Sequence, residues 1–227
     1  MGRVFFVSGI DTDVGKTVVT GLMARDMMSK GKDVITVKMV QTGCDGFSED
    51  MEVHRRMCGL GRLPEDLEGL TAPQTFKFPS SPSLAARLEN RRVDLGRIAT
   101  CVEECARRRE LVLVEGAGGL LVPLSDEIKT LDFVASRGWP LVLVTCGRLG
   151  SVNHTLLSLE AAKSRGVHVA GVVHNWHPAV DADIDADADR EIRLALKAMC
   201  YPPVIVHVPR VTEGCPLPEV DFSELFS

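Results

Sequence analysis

Lys16 and Thr17 carry the most chemical content in this chain. They end the stretch Gly9-Ile10-Asp11-Thr12-Asp13-Val14-Gly15-Lys16-Thr17, which follows the apolar run Val4-Phe5-Phe6-Val7. A helical pattern begins near Lys16. A strand, a glycine-bearing bend, Gly-Lys-Thr and a helix are the context of a phosphate-binding loop. The backbone N–H groups from Asp13 through Val14, Gly15, Lys16, Thr17 and Val18 then turn inward on phosphate, and the helix N-terminus adds partial positive charge. Lys16 would reach the β- and γ-phosphates, and the Thr17 hydroxyl would hold Mg²⁺. The loop is a variant, because its nearest preceding glycine, Gly9, leaves five residues before Gly15.

Other polar residues stand where apolar runs end. Lys38 closes one run and opens Lys38-Met39-Val40-Gln41-Thr42-Gly43. A lysine there is costly to bury without an anion or an acid beside it, so Lys38 faces either a ligand or a salt-bridge partner. Glu115 ends another run and stands where a Mg²⁺-directed carboxylate is expected. Asp50 opens a helix after a glycine-containing loop, as a further metal ligand or simply as an acid favoured by the helix dipole. Gly150-Ser151-Val152-Asn153 begins a helix whose free N–H groups suit a carboxylate or phosphate. Asn175 can pair with an adenine edge through its amide. Asn-Lys-x-Asp, the guanine signature, is not in the chain, so ATP is favoured over GTP.

These residues need a scaffold that brings strand ends together. Apolar, β-rich segments recur at 3–8, 34–40, 111–115, 140–146, 168–174 and 203–208. Several are continuous rather than alternating, the pattern of strands covered on both faces. Helical stretches lie between them at 16–30, from Pro82 with Ser81 as N-cap, and at 94–108, 151–165 and 185–199. Strands alternating with helices predict an α/β, doubly wound, mostly parallel sheet with helices on both faces, and ligands beyond the carboxyl ends of its strands. Residues 59–80 read as a long connection with one short turn of helix. The acids at every second position from Asp181 to Asp189 resemble the start of a calcium loop but lack its glycine and final glutamate. They read as a solvated helix start.

Composition sets the outer bounds. The 227 residues suit a single domain over 1–227, with 45% hydrophobic and 25% charged residues. A net charge of −5 without a basic block argues against nucleic acid as a main partner. The chain enters a strand at once, without a signal-peptide pattern, and no apolar run approaches the length of a membrane span. A cytoplasmic location without membrane association is expected. The seven cysteines are scattered, with no C-x-x-C, and read as reduced thiols rather than a structural metal site.

Five motifs in order resemble the dethiobiotin synthetase family from Val4 to about Glu213. They are GIDTDVGKT, KMVQTG at 38–43, VEGAGG at 114–119, PLSD at 123–126 and LGSVNH at 149–154. Ile10 stands where that family usually has Thr, and Met39 where it has Pro. The resemblance implies an ATP- and Mg²⁺-dependent ring closure. A 7,8-diaminononanoate takes up CO₂ (from bicarbonate) as a carbamate, ATP phosphorylates it, and the second amine closes the cyclic urea. It implies catalytic roles for Lys16 and Lys38 and metal ligation by Thr17, Asp50 and Glu115. Thr12, Lys38 and Thr42 would contact substrate, and Asn175, Pro209 and Glu213 would contact the nucleoside. It also implies a homodimer in which Gly150, Ser151, Val152 and Asn153 of one subunit take the carboxylate tail bound in the other. Two rivals fit less well. A cobyrinic-acid amidating enzyme needs a glutaminase partner with a catalytic Cys. A ParA- or MinD-like switch carries a second lysine early in the loop.

Overall fold

The computed structural model describes residues 1–176, 182–212 and 214–227. The chain begins with β1 (Arg3–Gly9), α1 (Lys16–Ser29), β2 (Val34–Lys38), β3 (Gln41–Thr42) and α2 (Glu49–Met57). It continues through α3 (Pro64–Leu67), β4 (Thr75–Phe76), α4 (Pro82–Leu88), α5 (Leu95–Arg108) and β5 (Leu111–Gly119). Then come α6 (Thr130–Arg137), β6 (Leu141–Cys146), α7 (Ser151–Ser164), β7 (Val169–Asn175), α8 (Ala182–Ala198) and β8 (Ile205–Val208).

Among the described residues, six strands form one sheet in the order β2-β5-β1-β6-β7-β8. Every neighbouring pair is parallel. The expected α/β, doubly wound architecture is therefore present. Every residue of β2, β6 and β7 is buried, as continuous apolar runs require of strands covered on both faces. The chain runs from β1 outward to β2, returns to β5 beside β1, and then continues on β1's other side with β6. The carboxyl end of β1 thus lies where the winding reverses, the place where α/β sheets open a crevice.

Two regions differ from the sequence expectation. The 59–80 connection holds α3 and also β4, which pairs in parallel with β3 through Gln41–Thr75 and Thr42–Phe76. Two-residue strands carry no periodicity, and their partners lie too far apart in sequence for local reading. Arg55 of α2 holds this segment. Its guanidinium forks onto Asp66 at 2.7 and 2.8 Å and reaches the Thr36 hydroxyl of β2 at 2.8 Å, all buried. Helix α6 is the second difference. At eight residues it offers barely two turns of pattern, and its Phe133 and Val134 favour strands as readily. Asp132 accepts from the Lys129 N–H at its start, and Gly138 ends it at φ 65°.

Candidate active site

The phosphate loop bends between β1 and α1 through two left-handed residues, Asp13 at φ 58° and Gly15 at φ 87°. Gly15 is required for a second reason: a Cβ there would lie 2.1 Å from Asn175 Nδ2. That amide donates to the Val14 carbonyl at 3.0 Å, so the end of β7 braces the loop. Lys16 is buried and donates to the Asp11 carbonyl at 2.8 Å. Burial, reinforced by the charge of Lys38, pulls Lys16 below the ordinary lysine range, with Glu115, Asp50 and Asp13 offsetting part of the effect. On the outer side of the bend, Asp11 pairs with Arg148. The Arg148 guanidinium and the Thr12 N–H hold the Asp11 carboxyl below its ordinary value.

Opposite the loop, strand register assembles a charged cluster. Lys38 of β2 and Glu115 of β5 are register partners, so their side chains share a face despite their separation in sequence. Lys38 Nζ donates to Glu115 Oε1 at 2.8 Å and lies 2.5 Å from Asp50 Oδ2. Thr17 Oγ1 also donates to Glu115 Oε1, at 2.9 Å. Burial opposes the charge on Glu115, but Lys38 and a hydrogen bond to His54 outweigh it and hold the carboxyl well below the usual carboxylate range. Burial likewise opposes the charge on Lys38, yet Glu115 and Asp50 raise it above the ordinary lysine range.

Asp50 is thus both an acid in the first turn of α2 and a member of the cluster. Ser48 caps that helix, accepting from the Met51 N–H at 3.3 Å and donating to Gln41 Oε1 at 2.6 Å. Helical spacing places Asp50 and His54 one turn apart on the same face. His54 Nε2 meets Glu115 Oε2 at 2.7 Å, and the ring is fully buried. Sequence reading missed His54. The available signal was its i,i+4 relation to Asp50, which becomes informative only once α2 is known to pack over β5.

Thr12, Asp13, Gly15, Lys16, Thr17, Lys38, Thr42, Asp50 and Glu115 line a single cleft of about 610 Å³, walled also by residues 79–82. Met39, one of the two family departures, is buried beside it and donates its N–H to the Glu115 carbonyl at 2.9 Å. A prolyl residue has no donor for this bond. Ile10, the other departure, is packed into the core.

The remaining sequence candidates lie around this cleft. Val14 is buried and Val18 half-buried on α1. Asn175 is paired in register with Val208, and Pro209 follows directly at the end of β8. Glu213 lies outside the described residues. Gly150 caps α7 at φ 88°, Ser151 is buried, Val152 half-buried and Asn153 exposed. These four do not line the 610 Å³ cleft. They flank a second depression lined by Ile10, Asp11, residues 119–122 and the α7 residues His154, Leu157, Ser158 and Ala161. Val122 borders both.

The family described as an AAA domain matches residues 3–213. The ATP-dependent dethiobiotin synthetase BioD 2 of Haemophilus influenzae is 49% identical over 181 residues, covering 80% of this chain and 95% of that protein. The ATP-dependent dethiobiotin synthetase BioD of Chlorobaculum tepidum is 48% identical over 196 residues, covering 86% of this chain and 82% of the relative. The crystal structure of a ParA family ATPase from Chlorobium tepidum superposes with a TM-score of 0.54 at 15% identity, covering 93% of this chain and 86% of that one. That likeness establishes the shared fold. With about half of its residues identical to synthetases across most of its length, the chain belongs to the ATP-dependent dethiobiotin synthetase family.

Proposed function

We propose that the whole chain acts as one synthetase domain that closes a cyclic urea on 7,8-diaminononanoate, using CO₂ and ATP. The observation that carries this reading is the convergence of Lys16, Thr17, Lys38, Asp50 and Glu115, from four elements, on one cleft. An amine of the substrate adds to CO₂ and loses a proton, giving a carbamate. A carbamate oxygen attacks the γ-phosphorus, and the bond to the bridging oxygen breaks to release ADP. The second amine attacks the carbonyl carbon of this mixed anhydride. Phosphate leaves, a proton is lost, and the ring is closed.

The protein's task is positioning and charge neutralisation. Lys16 neutralises the transferring phosphoryl group from the loop side. Lys38, held by two carboxylates, faces it from the sheet side and orients the carbamate. Thr12 and Thr42 donate to the carbamate or diamine from opposite walls. The Thr17 hydroxyl with the Asp50 and Glu115 carboxylates is a set of hard oxygen donors suited to Mg²⁺. That ion would neutralise phosphate charge when bound. Asn175, Pro209 and Glu213 are assigned to the nucleoside, which the position of the first two at adjacent strand ends supports.

A homodimer in the cytoplasm completes the reading. Leu121, Leu149 and Leu157 are exposed around the second depression, an apolar surface next to the proposed tail-binding residues Gly150, Ser151, Val152 and Asn153. Among the described residues no helix is long and apolar enough to cross a membrane. The decisive experiment incubates the purified protein with diaminononanoate, bicarbonate and MgATP and seeks dethiobiotin by mass spectrometry. ATP hydrolysis without that product would overturn the substrate assignment.

A further inference from the structure

We propose that His174, Asp185 and His207 form a Zn²⁺ site, separate from the catalytic cleft, that ties α8 to the β7–β8 edge of the sheet. His174 and His207 are register partners on the paired strands β7 and β8, so their rings stand side by side on one face, 5.5 Å between centroids. Helix α8 supplies Asp185 and, one turn on, Asp189. A nitrogen of each ring and an Asp185 oxygen lie within 4.8 Å of one another.

The cluster is polar, half-buried and only partly satisfied. The His174 side chain is 1% exposed, yet neither of its ring nitrogens has a hydrogen-bond partner among the described residues. Its Nε2 lies 3.1 Å from Asp185 Oδ1, but the two are out of line for a hydrogen bond, and that oxygen is unpartnered too. His207 Nδ1 is likewise buried and unpartnered. The large majority of buried polar atoms are paired, because each unmet one costs free energy, and four unmet atoms lie together here. One cation at the centre would engage one nitrogen of each ring and the Asp185 oxygen together.

The donor set selects the ion. Two neutral imidazoles and a carboxylate suit Zn²⁺, with a fourth position left for water, whereas Mg²⁺ and Ca²⁺ prefer oxygen. The outer shell is also in place. Asp189 Oδ1 lies 3.0 Å from His207 Nε2, which turns Nδ1 toward the cluster, the carboxylate–imidazole arrangement that orients metal-bound histidines. Ligands around a tetrahedral zinc stand ~3.3 Å apart, so small side-chain rotations close the site. Because strand side chains alternate, His174 faces α8 while Asn175 faces the phosphate loop. The acids from Asp183 to Asp189 are therefore more than a solvated helix start: two of them face inward onto histidines.

The test uses untagged, chelator-stripped full-length protein in which the exposed thiols are removed by Cys200→Ser and Cys215→Ser. ZnCl₂ is titrated against a chromophoric chelator, with thermal unfolding followed in parallel. The expected result is one Zn²⁺ per chain, a higher Tm with zinc, and an X-ray absorption shell of nitrogen and oxygen without sulfur. His207→Gln and Asp185→Asn change half-buried residues, so they spare the buried His174 position. Each should weaken zinc by more than the ~10–100-fold expected of Asp189→Asn, which alters only the outer shell. Excess MgCl₂ should not displace the ion. No zinc uptake by the folded protein, unchanged affinity in both ligand variants, a sulfur shell or displacement by Mg²⁺ would each overturn the site. None of these readouts depends on synthetase turnover.

Discussion

Lys16 is buried against the carbonyl of Asp11 and held below the ordinary lysine value by burial and by Lys38. A bound triphosphate brings negative charge and restores the ammonium. The free protein's Lys16 therefore loses its proton at lower pH than the complex does. Nucleotide binding should take up a proton as pH rises toward 10.5, and affinity should fall over the same range. Calorimetry of ATP binding in buffers of different ionisation enthalpy measures the uptake, and no buffer dependence at alkaline pH would refute it. Lys16→Ala should abolish the uptake and lower turnover by ~10²–10³-fold, since a charge aimed at the transferring phosphoryl group is lost. His54 touches the site only through Glu115, and we propose that it is a positioning residue. His54→Ala leaves a buried carboxylate oxygen unpaired, at a cost of about 1–3 kcal/mol in stability. It should also raise the Mg²⁺ needed for half-maximal activity ~10–100-fold, as altered outer-shell partners do. A purely structural His54 would lower Tm and leave the Mg²⁺ titration unchanged, and His54→Gln should recover part of both.

At the scale of elements, the polar network beneath α2 fastens the irregular 59–80 segment to the sheet. Asp66 accepts from Arg55, from the Thr71 hydroxyl at 2.6 Å and from the Leu63 N–H at 2.7 Å. Burial opposes its charge, but these partners outweigh it and hold the carboxyl below its ordinary value. A carboxyl depressed on folding stabilises fully above its unfolded value, near 3.8, and that contribution is lost as pH falls through the lower native value. Asp66→Ala strands a buried guanidinium and should cost ~3–5 kcal/mol, read as a lower midpoint in urea unfolding at neutral pH. The gap between variant and wild type should narrow in strong acid, where Asp66 is protonated in both folded and unfolded wild type. A gap independent of pH would assign the loss to packing alone. The same network reaches the cleft, because the Thr71 carbonyl accepts from the Lys38 N–H at 2.7 Å.

For the whole molecule, the proposed dimer makes each site draw on two chains. Gly150 must remain glycine, since φ 88° disfavours any side chain. The tail site is better disrupted by Val152→Glu with Asn153→Glu, which places repulsive charge at the helix start. Mixed with Lys16→Ala protein, this variant should form heterodimers with both lesions in one site and an intact second site. Activity should then return well above that of either mutant alone. If labelled subunits exchange by mass spectrometry and no activity returns, the tail is bound within one subunit.

What the sequence determined by itself was local: the phosphate loop, the strands buried on both faces, and the polar residue at each strand end. Gly15-Lys16-Thr17 was legible because a bend between an apolar run and a helix leaves its mark on adjacent residues. Lys38 and Glu115 were legible as candidates, since a charge that ends an apolar run is conspicuous wherever the strand lies, whereas Asp50 stood out only as an acid opening a helix. Their union was not. Lys38 meets Glu115 only because β2 pairs with β5, and Asp50 and His54 reach them only because α2 lies over that pair. The short β3–β4 pair and α6 are not legible in the sequence because two residues or two turns hold too little pattern. The facing histidines were hidden for the opposite reason. His174 and His207 belong to strands that are easily read, but nothing along the chain says that β7 and β8 are neighbours in that register. Local chemistry is written in neighbouring residues, whereas register and packing are settled by burying the whole sheet at once.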